Sequence, residues 1–583
     1  MSELPLAVSK QWWKDAVVYQ IYPISYCDSN GDGFGDLNGI TSKLDYIKSL
    51  GVDVIWLSPI YKSPLADYGY DISDYLDIDP RYGTLADWDN LLKSVHDRGM
   101  KLIMDLVVNH TSDEHEWFVE SRSSKDNPKR DWYIWRPPKY DAAGNRQPPN
   151  NWRSVFQGSA WKFDETTGEY YLHLFVEQQP DLNWENPAVR DAVWDLMKFW
   201  LNRGCDGFRM DVINSISKVA GLPDVPVVDP IEEYQRAQQM YINGPRVHEY
   251  LREMHEKVLA RHDLMTVGEA PFTYDTDAVA EYVLPKNKEL QMVFQFELVY
   301  IDAKAEALAP KDWKVPELAR ILTKWQNLKR DEGFWNAVYI ENHDQARSVS
   351  RFGDDSDEWR SVSAKMLALL PLAQSGTLYV YQGQELGLRN FPRSWGLEEY
   401  KDIASQNYWS KGRIKIRRQR QSGSEDVDMT DVLDALQKKA RDHGRVPMQW
   451  DSTANAGFTT GTPWMRVNDD YKEWNAATQA DDSSSVLNFW KGAIALRKQY
   501  NVLTYGDFQL LEPQNEQVLA VRRTLDSTAA LVILNFSKNT AEIGIETSGY
   551  KWMYGNYETP ADDDTRILKL RGYEGMVFIS EKQ

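Results

Sequence analysis

Short, almost unbroken apolar runs alternate along this chain with stretches in which apolar residues return every three or four positions. Runs of the first kind suit parallel strands covered on both faces, and stretches of the second kind suit amphipathic helices. The runs at 17–23, 52–59, 101–110, 207–210, 264–268, 293–296, 337–340 and 377–382 read as eight strands. Helices are predicted over 40–50, 85–98, 187–204 and 247–261, with 486–498 closing the series. The third of these starts at the cap Asn186 with Pro187 in its first position, and Gly204 stops it. Strands alternating with helices in this way predict an α/β fold, a (β/α)8 TIM barrel.

Two stretches leave the pattern. Residues 111–178 carry Pro137-Pro138, Pro148-Pro149 and five tryptophans with little helical periodicity, which predicts a subdomain inserted after the third strand. Beyond residue 500, period-2 runs at 518–525, 529–535 and 576–580 predict a C-terminal all-β sandwich. The expected division is therefore barrel 1–110, insertion 111–178, barrel 179–500 and β domain 501–583, with a long loop between the eighth strand and its helix.

Composition narrows the function. The 583 residues carry a net charge of −20, which argues against a nucleic-acid partner. The basic cluster at 413–420 reads as one solvated helix face. Cys27 and Cys205 are the only cysteines, too few for a disulfide framework. Met1-Ser2-Glu3-Leu4-Pro5 lacks a signal-peptide pattern, and no stretch is long and apolar enough for a membrane span, so a cytoplasmic monomer is expected. The 23 Trp, 31 Tyr and 18 Phe fit either a large core or aromatic platforms for a ring-shaped ligand.

Barrel enzymes place their chemistry at the C-terminal ends of strands. Asp211, Glu269 and Asp344 end the fourth, fifth and seventh predicted strands, and His110 and His343 end the third and seventh. Arg209 shares a strand face with Asp211 and is expected to keep it ionised, whereas an acid/base partner such as Glu269 needs a raised pKa. Any one of these residues alone fits a structural ion pair; the set on one rim points to two-carboxylate glycoside hydrolysis. In the loop 28–36, oxygen side chains alternate with glycines, as in a Ca²⁺ loop, but the twelfth-position glutamate and clear flanking helices are missing. An Asx-rich turn is the alternative.

At this point the chain resembles the α-amylase superfamily, glycoside hydrolase family 13, and within it the neutral oligosaccharide α-glucosidases. The resemblance spans the whole chain. It is carried by Asp105-Leu106-Val107-Val108-Asn109-His110, Gly207-Phe208-Arg209-Met210-Asp211, Val267-Gly268-Glu269-Ala270 and Glu341-Asn342-His343-Asp344. The block Gln179-Pro180-Asp181-Leu182-Asn183-Trp184 is similar to one of the oligo-1,6-glucosidase group. The resemblance implies Asp211 as nucleophile, Glu269 as acid/base and Asp344 as transition-state stabiliser. Arg209, His110 and His343 would hold a glucose, while Asp67, Tyr70 and Arg441 would close its pocket, with Phe156, Phe175 and Gln179 around it. Asp105 and Asn109 would brace the rim. The loop matches the family's Ca²⁺ site, with Asp28, Asn30, Asp32, Asp36 and the Phe34 carbonyl as ligands. Val212, following the nucleophile, goes in this family with α-1,6 cleavage.

The expected activity is that of a retaining, exo-acting α-glucosidase working on short, α-1,6-linked oligosaccharides, with some α-1,4 activity and transglucosylation. A maltase, or a glucosyl-transferring or sucrose-isomerising relative, would share the same carboxylates, and Ala270-Pro271-Phe272 leaves the leaving-group side open. A catalytically dead transporter subunit would need a span and tolerate loss of the carboxylates. An endo-acting amylase would not have a pocket closed by Asp67 and Arg441.

Overall fold

The eight apolar runs form one parallel sheet in a computed structural model that describes residues 9–558 and 566–581. The reading of Met1–Pro5 lies outside the described residues. The strands are β1 (Val17–Ile21), β2 (Val54–Leu57), β3 (Lys101–Leu106), β4 (Gly207–Met210), β5 (Met265–Glu269), β6 (Met292–Phe294), β7 (Ala337–Val338) and β8 (Thr377–Tyr381). Their order, β6-β5-β4-β3-β2-β1-β8-β7, is that of a barrel opened at one seam. Across that seam the Tyr339 hydroxyl donates to Gln295 O at 2.9 Å, and the Phe294 and Tyr339 rings meet at 4.9 Å. The C-terminal unit is a separate antiparallel sheet domain, so the predicted fold class holds.

Gly207 is needed where β4 starts. Its φ is +147°, and a Cβ there would lie 2.0 Å from Met265 O on β5. Inside the barrel Trp56 stacks on Phe294 at 5.6 Å, and Phe294 meets Tyr379 at 4.7 Å, an aromatic floor beneath the strand ends.

Several elements differ from the sequence reading. β3 stops at Leu106 rather than His110, because the next carbonyls pair with the end of the insertion: Leu182 N donates to Asn109 O at 2.9 Å and Trp184 Nε1 to Val108 O at 2.8 Å. The helix expected over 40–50 is two, Leu37–Ser42 and Leu44–Ser49. The hydroxyls of Thr41 and Ser42 bond back to Leu37 O and Gly39 O, which competes with helix continuation. The expected long loop after β8 contains the helices Ile403–Lys411, Arg413–Ser422 and Thr430–Lys439. They bury a core of their own around Phe391, Trp395, Tyr400 and Leu436, and the basic cluster lies in the middle one.

The insertion holds the helix Glu116–Ser123 and a three-stranded antiparallel sheet of Trp135–Arg136, Glu169–Leu172 and Trp161–Asp164. Its core of Trp152, Trp161, Tyr170 and Leu172 also takes in Leu222 and Tyr241, so part of the loop after β4 packs as one body with it. In the C-terminal domain, period 2 sorts the residues of one strand between two cores. Val518 and Ala520 join the domain's own core, whereas Leu519 and Val521 pack into the barrel's.

Candidate active site

The cavity at the C-terminal end of the barrel encloses ≈ 230 Å³ and is lined by Asp211, Glu269 and Asp344 together with Asp67, Tyr70, His110, Phe156, Phe175, Val212 and Arg441. Arg209 stands beneath it, 1 % exposed, with its guanidinium 5.2 Å from the centre of the Trp56 ring. One of its amino groups bonds Asp105 and Asp211, each at 2.8 Å, and the other reaches Glu269 at 2.6 Å. Asp105 is braced further by Trp56 Nε1 and the Tyr70 hydroxyl, each at 3.2 Å. One buried cation thus serves three buried carboxylates.

That ratio corrects the expectation that Arg209 keeps Asp211 well ionised. Burial pushes Asp211 up; Arg209 opposes this, but Glu269 and Asp105 compete for the same guanidinium and add to the rise. Burial likewise pushes Asp105 up to about 6 against the pull of Arg209. Three buried carboxylates thus compete for one cation, and a proton bound there belongs to the group as a whole. Asp344 behaves in the opposite way. Burial alone would raise it, but His343, protonated in the acid range where Asp344 titrates, and the guanidinium groups of Arg441 and Arg445 hold it far below the usual carboxylate range.

Val212 follows Asp211 in the left-handed region, φ 33° and ψ 42°, which strains a β-branched residue. The turn aims the Val212 amide at Glu269 Oε2, 3.1 Å away, so the residue after one carboxylate orients the other.

Arg441 bridges two carboxylates of the cavity lining. It bonds Asp67 and Asp344, each at 3.0 Å, and lies over Phe156 at 5.0 Å. Gln179 reaches Asp67 at 3.1 Å and His110 at 3.2 Å. Phe175 packs on His110 at 5.0 Å and on Phe156 at 5.8 Å. Tyr70 stacks on His343 at 5.2 Å, and Gln20 touches His343 Nδ1 at 2.7 Å. Burial pushes His110 down to about 4 and His343 down to about 3, so both rings are neutral.

Every sequence-predicted catalytic and binding residue is at this cavity or in direct contact with its lining. Sequence reasoning missed Asp402, which pairs with Arg441 at 2.7 Å and with Arg445 at 2.6 Å, and Arg445 itself, 2.8 Å from Asp344. Asp402 caps the helix Ile403–Lys411. An Asp directly before a helical run is a visible cap signal, but nothing in the sequence connects it to Arg441.

The loop 28–36 lies apart from this cavity's lining. Asp28 accepts from the amides of Asn30, Gly31 and Gly33, Asn30 from Asp32, and Asp32 from Phe34, a run of Asx turns. Asp36 caps the helix Leu37–Ser42 and accepts from Ser29. Among the described residues no group of three or more His, Cys, Asp or Glu side chains is disposed to hold a metal ion. The oxygen-only donor set remains of the type that suits a hard cation.

The alpha-amylase catalytic-domain model matches residues 20–506. The chain is 49 % identical over 578 residues to the oligo-1,6-glucosidase of Parageobacillus thermoglucosidasius, covering 98 % of this chain and 99 % of that one. It is 49 % identical over 558 residues to an alpha-glucosidase of Schizosaccharomyces pombe, covering 94 % and 95 %. Among solved structures, a variant of isomaltulose synthase from Erwinia rhapontici NX5, in complex with sucrose, superposes with a TM-score of 0.90 at 39 % identity, covering 98 % of this chain and 99 % of that one. With a barrel rim that gathers three carboxylates around one cavity, and matches that run the length of the chain, this protein belongs to the alpha-amylase family and is a glycoside hydrolase.

Proposed function

We propose that the chain is a retaining, exo-acting α-glucosidase that removes glucose from the non-reducing end of short α-glucosides, α-1,6-linked ones among them, with some α-1,4 activity and transglucosylation. The observation that carries this reading is the bridge in the cavity lining, where Arg441 ties Asp67 to Asp344 and so would wall off one end. Such a wall admits the end of a sugar chain and stops the middle of a polymer. The names of the relatives, oligo-1,6-glucosidase and alpha-glucosidase, point the same way. Product analysis on maltose, isomaltose and sucrose tests it. Glucose from isomaltose is expected, with no internal cuts in starch; isomerised sucrose as the main product would favour the glucosyl-transferring reading.

In the proposed reaction an Asp211 oxygen bonds C1 of the glucose as the bond from C1 to the glycosidic oxygen breaks. Glu269 gives its proton to that departing oxygen. Water then passes a proton back to Glu269 as its oxygen attacks C1 and frees Asp211, so two inversions leave the α configuration. Both carboxylates sit on one guanidinium, an arrangement that suits the roughly 5 Å spacing of a retaining pair. The anionic Asp344 grips sugar hydroxyls and faces the positive charge that develops on the ring. Phe156 and Phe175 offer the sugar apolar faces, and the neutral His110 and His343 offer it hydrogen bonds. Proton NMR of the first-formed sugar is expected to show α-glucose; β-glucose would overturn the two-step route.

Linkage preference is assigned to Val212, whose rigid side chain lines the cavity and brings no hydroxyl to a leaving sugar. Val212→Thr adds a hydroxyl worth about one hydrogen bond, so the isomaltose-to-maltose ratio of kcat/KM should fall about tenfold. An unmoved ratio would transfer the preference elsewhere.

A structural Ca²⁺ held by Asp28, Asn30, Asp32, Asp36 and the Phe34 carbonyl is part of the proposal. It would pin the first loop against Thr459, whose hydroxyl already bonds Asp28 at 2.5 Å. Burial pushes Asp28 up, but that bond and three backbone amides outweigh it and hold the carboxyl low, ready for a cation. Exhaustive chelation should lower Tm and added Ca²⁺ restore it, by mass action on the folded state. A Tm indifferent to both would leave the loop as Asx turns alone. The net charge of −20 and two buried, unpaired cysteines support a cytoplasmic monomer, which cell fractionation and light scattering test.

A further inference from the structure

Behind the His110 ring lies a buried knot that the proposed reaction does not use. Lys218, seven positions after Asp211 and 9 % exposed, bonds Asn109 Oδ1 and Asp181 Oδ2, each at 2.8 Å. Asn109 Nδ2 faces Asp181 Oδ2 at 3.1 Å and His110 Nδ1 at 3.2 Å. Asp181 Oδ1 accepts from Leu174 N at 2.9 Å. The knot joins the end of β3, the end of the insertion and the loop after β4, and Asn109, His110 and Asp181 are all within 1 % of complete burial.

We infer that Lys218 acts through Asn109 to fix His110 as the tautomer protonated on Nε2, so that the ring presents an N–H, and no lone pair, on its pocket side. An ammonium has donors and no acceptor, so the group that faces it must be the Asn109 oxygen. The Asn109 amino group then faces the Asp181 carboxylate and His110 Nδ1; the flipped amide would set N–H against ammonium and oxygen against carboxylate. A donor at Nδ1 makes that nitrogen the acceptor and leaves the proton on Nε2, where Tyr70 O stands 3.2 Å away to receive it. Gln179 Nε2, also 3.2 Å from His110 Nε2, pulls the other way. The count decides between them. The Nε2–H form satisfies Asn109 and Tyr70 and leaves only the Gln179 amino group facing an N–H; the Nδ1–H form satisfies Gln179 alone, sets the Asn109 amino group against an N–H and leaves Tyr70 O facing a lone pair. The ring is neutral, pushed down to about 4 by burial, so one tautomer is a defined state over the working range. Lys218 is thus a positioning residue for the sugar pocket, and its effect on turnover rests on the proposed α-glucosidase reading.

The tautomer is readable without any substrate. In the full chain with ¹⁵N-labelled histidine, the His110 resonances, identified by their loss in His110→Gln, should show an unprotonated Nδ1 and a protonated Nε2. Asn109→Asp turns the donor at Nδ1 into an acceptor and should move the proton to Nδ1, with kcat/KM on the best α-glucoside at least tenfold down. Lys218→Met should leave both tautomers populated, with near-UV circular dichroism reporting that the fold is kept. A wild-type ring protonated on Nδ1, or an Nε2–H ring that persists in folded Asn109→Asp, overturns the inference. Loss of α-glucosidase activity as such bears on the functional reading and leaves the tautomer result standing.

Discussion

Asp211→Asn is expected to lower kcat roughly 10⁴- to 10⁶-fold, the range seen when a covalent nucleophile is lost, while leaving the fold intact. The substitution keeps the shape and a hydrogen bond to Arg209, so binding should change little. It removes the atom that forms the bond to C1, so the loss should fall on kcat rather than KM. One charge fewer in a cluster of three carboxylates and one cation also relieves repulsion, and Tm should hold or rise. Asp211→Ala with azide gives a second readout. Azide in the vacated space would bond C1 from the nucleophile's side while Glu269 protonates the departing oxygen, giving β-glucosyl azide from an activated substrate. An Asp211→Asn enzyme within tenfold of wild type, or azide product of α configuration, would place the nucleophile elsewhere.

Arg209→Met should abolish detectable turnover and also cost stability. Removing the one cation strands Asp105, Asp211 and Glu269 in a buried site, and breaking a buried pair in this way costs about 3–5 kcal/mol. The sign of the pH dependence follows from the direction of the shifts. Burial already pushes Asp105 up to about 6, and Asp211 up as well, with Arg209 in place. Without it both rise again, so the folded state holds protons that the unfolded chain releases. The variant is therefore least impaired below the unfolded carboxylate range near pH 4 and loses stability as pH rises toward and beyond 6. The Tm gap between wild type and variant should be small at pH 4 and large at pH 7. A gap of equal size at both would mean that lost packing against Trp56, 5.2 Å from the guanidinium, dominates over charge.

The same arginine shows where sequence reasoning stops. That Arg209 and Asp211 share a strand face is a matter of period 2 and needs no coordinates. That Asp105 and Glu269 share the same guanidinium depends on β3 and β5 flanking β4, a pairing set by the barrel order. The expected effect on Asp211 differs for that reason: one strand shows one charge pair, while two more carboxylates arrive from its neighbours. Arg441 followed a similar course. Its pairing with Asp67 is implied by the family resemblance, but its second partner, Asp344 after β7, and its brace, Asp402 at the head of a helix in a stretch that reads as loop, come only from tertiary contact.

By itself the sequence determined the repeating strand and helix units, the two departures from them, and the carboxylates at the strand ends. These depend on local periodicity and on which residue types stop a strand, both written in neighbouring positions. The tertiary structure decided what shares what: one cation among three carboxylates, a strained Val212 that turns its amide to Glu269, and a lysine that reaches a histidine through an asparagine. Apart from Arg209–Asp211 and Asn109–His110, which are neighbours in sequence, those contacts join residues from 57 to 109 positions apart, where burial and competition for one partner set the chemistry. Local pattern carries no record of them.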